Sequence, residues 1–370
     1  MKHSGLYIFL SITCLAVAGK VNGQVLPQDH YLYEEIQKIV RYETGIQKEK
    51  TPGYIVGIVS KDSTYILPFG YREPGSSERL TPSDVFEVGS ISKVFTATIL
   101  AQLVAKEKIG WDHSINLYLP DQCRNEALQQ ITISDLASNQ SGFPKLPPFF
   151  GLFQHDVQNP FASYPKSELC SFLYKFTPNS PVQGVYSHLN FAILEILLEH
   201  NLGMPFDEIA DQYLFHLLDM NESSFGSKLP VTPGYHLSGK KAKPWDFQAF
   251  AASEGARSSL NDLMTFMQWN LALIEDGTPD TKMLVHLHAE MIESDLGDDL
   301  FMGHGWHITH PKKRLDVFIH SGKTNGHHAS IGFCRQTNTG VVVLSNSSAG
   351  TDNLGYLILR MINHNWKRKS

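Results

Sequence analysis

Strand-like runs stand at both ends of this 370-residue chain, with a long helical stretch between them. Near the N-terminus, Tyr54-Ile55-Val56-Gly57-Ile58-Val59, then Lys61-Asp62, then Thr64-Tyr65-Ile66-Leu67 follow the pattern of a β-hairpin. Near the C-terminus, Gly305 to His310, Leu315 to His320 and Val341 to Ser345 are strand-like, and Ile331-Gly332-Phe333 is placed to pair beside them. Helical patterns cover Ile133 to Ala137, Ser167 to Phe176, Asn190 to His200 and Pro205 to Leu218, then Ser259 to Leu273. Two more, Asp29 to Lys50 and about Asp352 to Ile362, flank the strands. The expected fold is α+β (mixed α/β). An antiparallel sheet built from both termini is flanked by helices, a mainly helical domain is inserted, and a cleft opens at the junction. The boundaries read as 24–110 together with 235–370 for the sheet domain and 111–234 for the helical one.

One stretch carries chemistry. Ser90-Ile91-Ser92-Lys93 heads an apolar helix in which Ile91, Val94, Phe95, Ile99, Leu100, Leu103 and Val104 recur at helical spacing. Residues three apart share a helix face, so the Lys93 ammonium can stand over the Ser90 hydroxyl. A serine hydroxyl needs a neighbouring base. Lysine can be that base if burial and nearby positive charge lower its pKa, and the helix start adds free N–H groups. The bland reading of Ser90 is an ordinary N-cap. Ser163-Tyr164-Pro165-Lys166 and Ser238-Gly239-Lys240-Lys241 share the spacing but head no long apolar helix.

Met1 to Gly23 has the basic start, apolar run and small-residue end of a secretory signal. The run is shorter than the ~20 residues of a membrane span, so an exported chain, periplasmic or secreted, is expected. A net charge of −6 without a basic tract argues against nucleic acid. Cys123, Cys170 and Cys334 permit at most one disulfide, and no Cys-x-x-Cys is present. No cofactor is read. Six late histidines, His304, His307, His310, His320, His327 and His328, raise a metal site as a rival, but no His-Glu-x-x-His helix accompanies them.

Several stretches, in order, resemble the serine β-lactamase and penicillin-binding family, in particular its class C β-lactamase and esterase-like branch. They are Phe86 to Asp112, Ile131-Thr132-Ile133-Ser134-Asp135-Leu136 with Gln140-Ser141-Gly142-Phe143-Pro144, Ala252 to Ser259 with Asp262-Leu263, and Gly303-His304-Gly305-Trp306. The resemblance implies that Tyr186-Ser187-His188 matches the family's Tyr-x-Asn box on a loop between helices. Tyr186, its phenol pKa lowered by cations, would relay protons. His188 stands where an Asn would hold Lys93 and a substrate amide oxygen. It further implies that His320-Ser321-Gly322 matches Lys-Thr-Gly. Gly322 would let substrate approach the backbone, and the N–H groups of Ser90 and Lys323 would form an oxyanion hole. His320, titrating between pH 5 and 8, would replace a permanent cation near the substrate carboxylate. Phe149, Phe150 and Phe153 offer either an aromatic cleft wall or helix packing.

The resulting expectation is a serine hydrolase acting through acyl-Ser90, with Lys93 and Tyr186 as base and relay. Its partners would be small-molecule or peptide substrates, namely D-amino-acid peptides, β-lactams or esters; oligomeric state is left open. The alternatives are a non-hydrolytic penicillin-recognising protein and a His-dependent metallohydrolase.

Overall fold

The computed structural model describes residues 23–364 except 45, 47–49, 61–62, 154–155, 179–183, 273–278, 312–314 and 350–352. All but the last residue of the expected signal segment lie outside the described residues. Nine strands form one sheet in the order Gln24–Val25, Thr64–Gly70, Gly53–Ser60, Thr339–Ser345, His328–Cys334, Val317–Lys323, His307–Thr309, Leu300–Met302 and Ile292–Glu293. Neighbours are antiparallel apart from the outermost pair, where Gln24–Val25 runs parallel to Thr64–Gly70. The decisive joint is Gly53–Ser60 against Thr339–Ser345, with Val56 opposite Val343, which welds the two ends of the chain. Val, Ile and Leu crowd both faces of these strands because both faces are covered. Tyr31–Glu43 and Leu354–Ile362 pack on one face, while Leu260–Ala272 lies on the other.

Several boundaries shift. The last helix begins at Leu354 and the first ends at Glu43. The expected strand Leu315 to His320 is observed as Val317–Lys323, running on through Ser321-Gly322-Lys323. Pro205 to Leu218 splits into Phe206–Ala210 and a wider π-turn, Asp211–Phe215. A second sheet of three strands, Val85–Gly89, Ala256–Ser259 and Ser224–Phe225, has no counterpart in the sequence reading. Its short strands carry polar residues such as Arg257 and Ser258 where apolar alternation would have signalled them. Cys123 and Cys170 are joined by a disulfide, and Cys334 is free and buried.

The helix Ser92–Ala105 is apolar on all sides and buried over its first twelve residues, as a helix must be when no face meets water. Its Thr96 hydroxyl donates to Ala252 O at 2.7 Å, and its Ser92 hydroxyl accepts from Ala256 N at 2.8 Å. These bonds fix the segment 252–256 beside the start of the helix.

Candidate active site

Ser90 sits just before the first helical turn, after Gly89 at φ 51°, a left-handed conformation that glycine adopts without steric cost. It is not an N-cap. Ile91 holds that position and makes no side-chain cap. The hydroxyl of Ser90 accepts from Lys93 Nζ at 2.9 Å, so the Ser-x-x-Lys spacing does bring the two together. Lys93 is almost wholly buried, and its remaining donors reach Ser253 O at 3.0 Å and Glu254 Oε1 at 2.5 Å. These three N–H bonds meet three acceptors, as an ammonium's do, and Nζ also lies 3.3 Å from Nδ1 of His188. Burial pulls the Lys93 pKa down and the Glu254 carboxylate opposes it.

Glu254 is the residue that sequence reasoning passed over. It ends the short helix Ala251–Glu254, which starts from Phe250 at φ 75°. That conformation costs a non-glycine residue about 1–3 kcal/mol. Rings of Phe150, Phe161 and Tyr164 clamp Phe250 in place. One carboxylate oxygen, Oε1, then accepts from the Ser90 hydroxyl at 2.7 Å, from Lys93, and from Nδ1 of His188 at 2.6 Å. The carboxyl is held well below the usual range: burial opposes ionisation, but Lys93 and His188 outweigh it. A signal was present in the sequence, since Glu254 falls inside one of the stretches that carry the resemblance.

Tyr186-Ser187-His188 is not a loop throughout. His188 opens the helix His188–Leu202, with Ser187 as its N-cap. The Ser141-Gly142-Phe143-Pro144 loop anchors it. Ser187 Oγ donates to Pro144 O at 2.7 Å, and His188 N donates to Lys145 O at 3.1 Å. Lys93 Nζ lies 5.0 Å from the Tyr186 ring centroid, and Ser90 is a hydrogen-bond neighbour of Tyr186. The expected lowering of the Tyr186 pKa is reversed. Burial and the Glu254 charge raise it well above the ordinary value, so Tyr186 is a proton-bearing phenol. His188 is pushed below an ordinary histidine by burial and Lys93, so its ring is neutral.

The strand Val317–Lys323 brings the third box to the same point. A Cβ on Gly89 would stand 2.6 Å from Lys323 N, so the backbone of this strand lies directly against the Ser90 turn. His320 also departs from expectation. It is buried, its Nδ1 donates to Ser321 O at 2.9 Å, and burial, with His307 and Lys93 beside it, drives its pKa far below the ordinary value. Its ring is held neutral at neutral pH, so it supplies no switchable cation there. His307, at 4.9 Å between ring centroids, is likewise depressed by burial, to about 4. The other histidines scatter. His304 contacts Ser134, His310 joins Glu290 and Asp316, and His327 meets Glu87. No group of three side chains able to hold a metal occurs among the described residues.

These residues face an open cleft of about 500 Å³, whose lining also includes Phe150, Phe161 and Trp245. Phe149 points to solvent instead. In the second Ser-x-x-Lys match, Lys166 is occupied by Glu195 at 2.8 Å and Glu199 at 2.6 Å. The family model described as Beta-lactamase matches residues 38–362. The chain belongs to the β-lactamase family. A β-lactamase of Pseudomonas fluorescens is 22% identical to it over 287 residues, covering 75% of each chain. A solved β-lactamase/D-alanine carboxypeptidase from Pseudomonas syringae superposes with a TM-score of 0.76 at 20% identity, over 91% of this chain and 100% of that one. A class C β-lactamase gives 0.75 at 18% identity, over 94% and 100%. Within this β-lactamase-family fold, Ser90 before its helix, Tyr186 on its loop and His320 on its strand line one cleft.

Proposed function

We propose that the chain is an exported serine hydrolase working through an acyl-Ser90 intermediate. One observation carries this reading: Ser90 Oγ accepts from Lys93 at 2.9 Å and donates to Glu254 at 2.7 Å at the floor of an open cleft. Its proton is aimed at a carboxylate while a lone pair stays available for a carbonyl carbon. On attack, the proton passes into the Lys93–Glu254 pair. The oxyanion is received by the backbone N–H groups of Ser90 and Lys323. The leaving group takes a proton from the Tyr186 phenol, which the pair then replenishes.

The neutral pair His307 and His320, with the aromatic side chains of the lining, favours substrates that need no carboxylate anchor at that place, esters before β-lactams, although Lys145 and Lys323 line the same cleft. Export is supported by the signal-like first 23 residues and by the Cys123–Cys170 disulfide, a bond typical of oxidising compartments. The test is intact-mass labelling with a fluorophosphonate and a fluorescent penicillin. Wild type and the controls Ser163→Ala and Ser238→Ala should carry one adduct, and Ser90→Ala none. An adduct on Ser90→Ala, or hydrolysis lost to EDTA and restored by zinc, overturns the reading.

A further inference from the structure

His188 is where the chain leaves the family's Tyr-x-Asn pattern, and Glu254 gives that departure a chemistry. Nδ1 of His188 lies 2.6 Å from Glu254 Oε1. Nδ1 also lies 3.3 Å from Lys93 Nζ, but the carboxylate contact is the shorter and a carboxylate only accepts, so the ring proton stays on Nδ1 and Nε2 is left as the acceptor. The side chain lines the cleft beside Ser90 and retains 16% of its exposure. An imidazole oriented by a carboxylate through one nitrogen, with no hydrogen bond to the other among the described residues and Ser90 lining the same cleft, is an arrangement suited to general-base catalysis. An asparagine at that place has no nitrogen that takes up a proton.

We propose that His188, held by Glu254, is the base that activates the water hydrolysing acyl-Ser90. This rests on the acyl-enzyme reading above. Once esterified, Ser90 has no proton to give, and Lys93 as an ammonium has no lone pair for water. His188 Nε2 does. Water attacks the acyl carbon while one of its protons passes to Nε2, and the imidazolium keeps its Nδ1–H on Glu254. The tetrahedral intermediate then collapses, the C–Oγ bond breaks, and the proton is delivered to Ser90 Oγ, so the site is restored. His307 and His320 are poorer acceptors, because neither is hydrogen-bonded to a carboxylate among the described residues. The groups facing His188 are Lys93, Lys145, Glu254 and Tyr186, and the two lysines favour its neutral form.

Pre-steady-state hydrolysis of p-nitrophenyl acetate tests this, because it separates the acylation burst from turnover. His188→Asn and His188→Ala should keep the burst and lose about 100-fold or more of the steady-state rate. Acyl-Ser90 should accumulate by intact mass, and added imidazole should restore part of the turnover of His188→Ala. The wild-type deacylation rate should fall at a pH below that of an ordinary histidine, and His188→Asn should lack this limb. Burst and turnover lowered together, or turnover unchanged in both variants, overturns the dyad alone. A wild type that never forms an adduct overturns the acyl-enzyme reading and the dyad with it.

Discussion

Gly322 and Ser90 approach each other through backbone alone: a Cβ built on Gly322 would stand 2.7 Å from Ser90 N and closer still to Val88 O. Backbone on both sides leaves no flexible side chain to move aside. Gly322→Ala should therefore push the strand Val317–Lys323 off the Ser90 turn and spoil both N–H donors at once. A fall in kcat of about 100-fold or more is expected, the scale of losing one oxyanion donor. Steady-state kinetics on an ester, beside Ser321→Ala as a milder change on the same strand, checks it.

Glu254→Gln should be costly for stability as well as for rate. It leaves Lys93 buried without its counter-charge, a change worth about 3–5 kcal/mol when one partner of a buried pair is removed. The double variant Lys93→Met/Glu254→Gln should recover much of that loss in urea unfolding. The pH dependence has a definite sign. Because the folded carboxyl is depressed, its stabilisation is fully present above the unfolded pKa of about 4.3 and is lost as pH falls through the folded value. Glu254→Gln should flatten that acid limb.

His307 and His320 set a different window. Both are depressed by burial, His307 to about 4, so the unfolded chain binds more protons than the folded one below the ordinary histidine range. Stability should fall as pH drops from about 6.5 toward 4. His307→Gln should lessen the slope. The ratio of kcat/KM for an anionic and a matched neutral ester should be flat between pH 6 and 8. His320→Lys should raise it throughout.

The Cys123–Cys170 bond closes a sequence separation of 47 residues, for which chain entropy gives about 4 kcal/mol. Cys123→Ala/Cys170→Ala should lower unfolding stability on that scale while labelling of Ser90 at 25 °C is kept. Loss of labelling in the folded variant would contradict it.

The sheet was readable because hairpin alternation and the runs near both ends each state a strand locally. Ser90 and Lys93 were readable because helical spacing converts sequence distance into contact. The role of Glu254 was not, although its stretch carries the resemblance, since that role depends on a left-handed Phe250 and on hydrogen bonds with Ser92 and Thr96, none of which has a local pattern. The protonation states were misjudged at Tyr186 and His320 for one reason. Burial dominates at both, the charges beside them (Glu254 at Tyr186, Lys93 at His320) push the same way, and burial is a property of the assembled molecule. The second sheet escaped notice because its strands are short, and one of them, Ala256–Ser259, is largely polar.

The joint between Gly53–Ser60 and Thr339–Ser345 also sets a timetable. A nascent chain emits its first hairpin and the Ser90 helix long before the strands that must flank them. Until residue 345 has emerged, the hairpin keeps an unpaired edge open to other chains. Until Lys323 has arrived, the proposed oxyanion hole lacks one of its two N–H groups. On that reading catalytic competence is withheld from every polypeptide that stops short of Lys323, and a chain truncated before Val317 should be both inert and prone to aggregate.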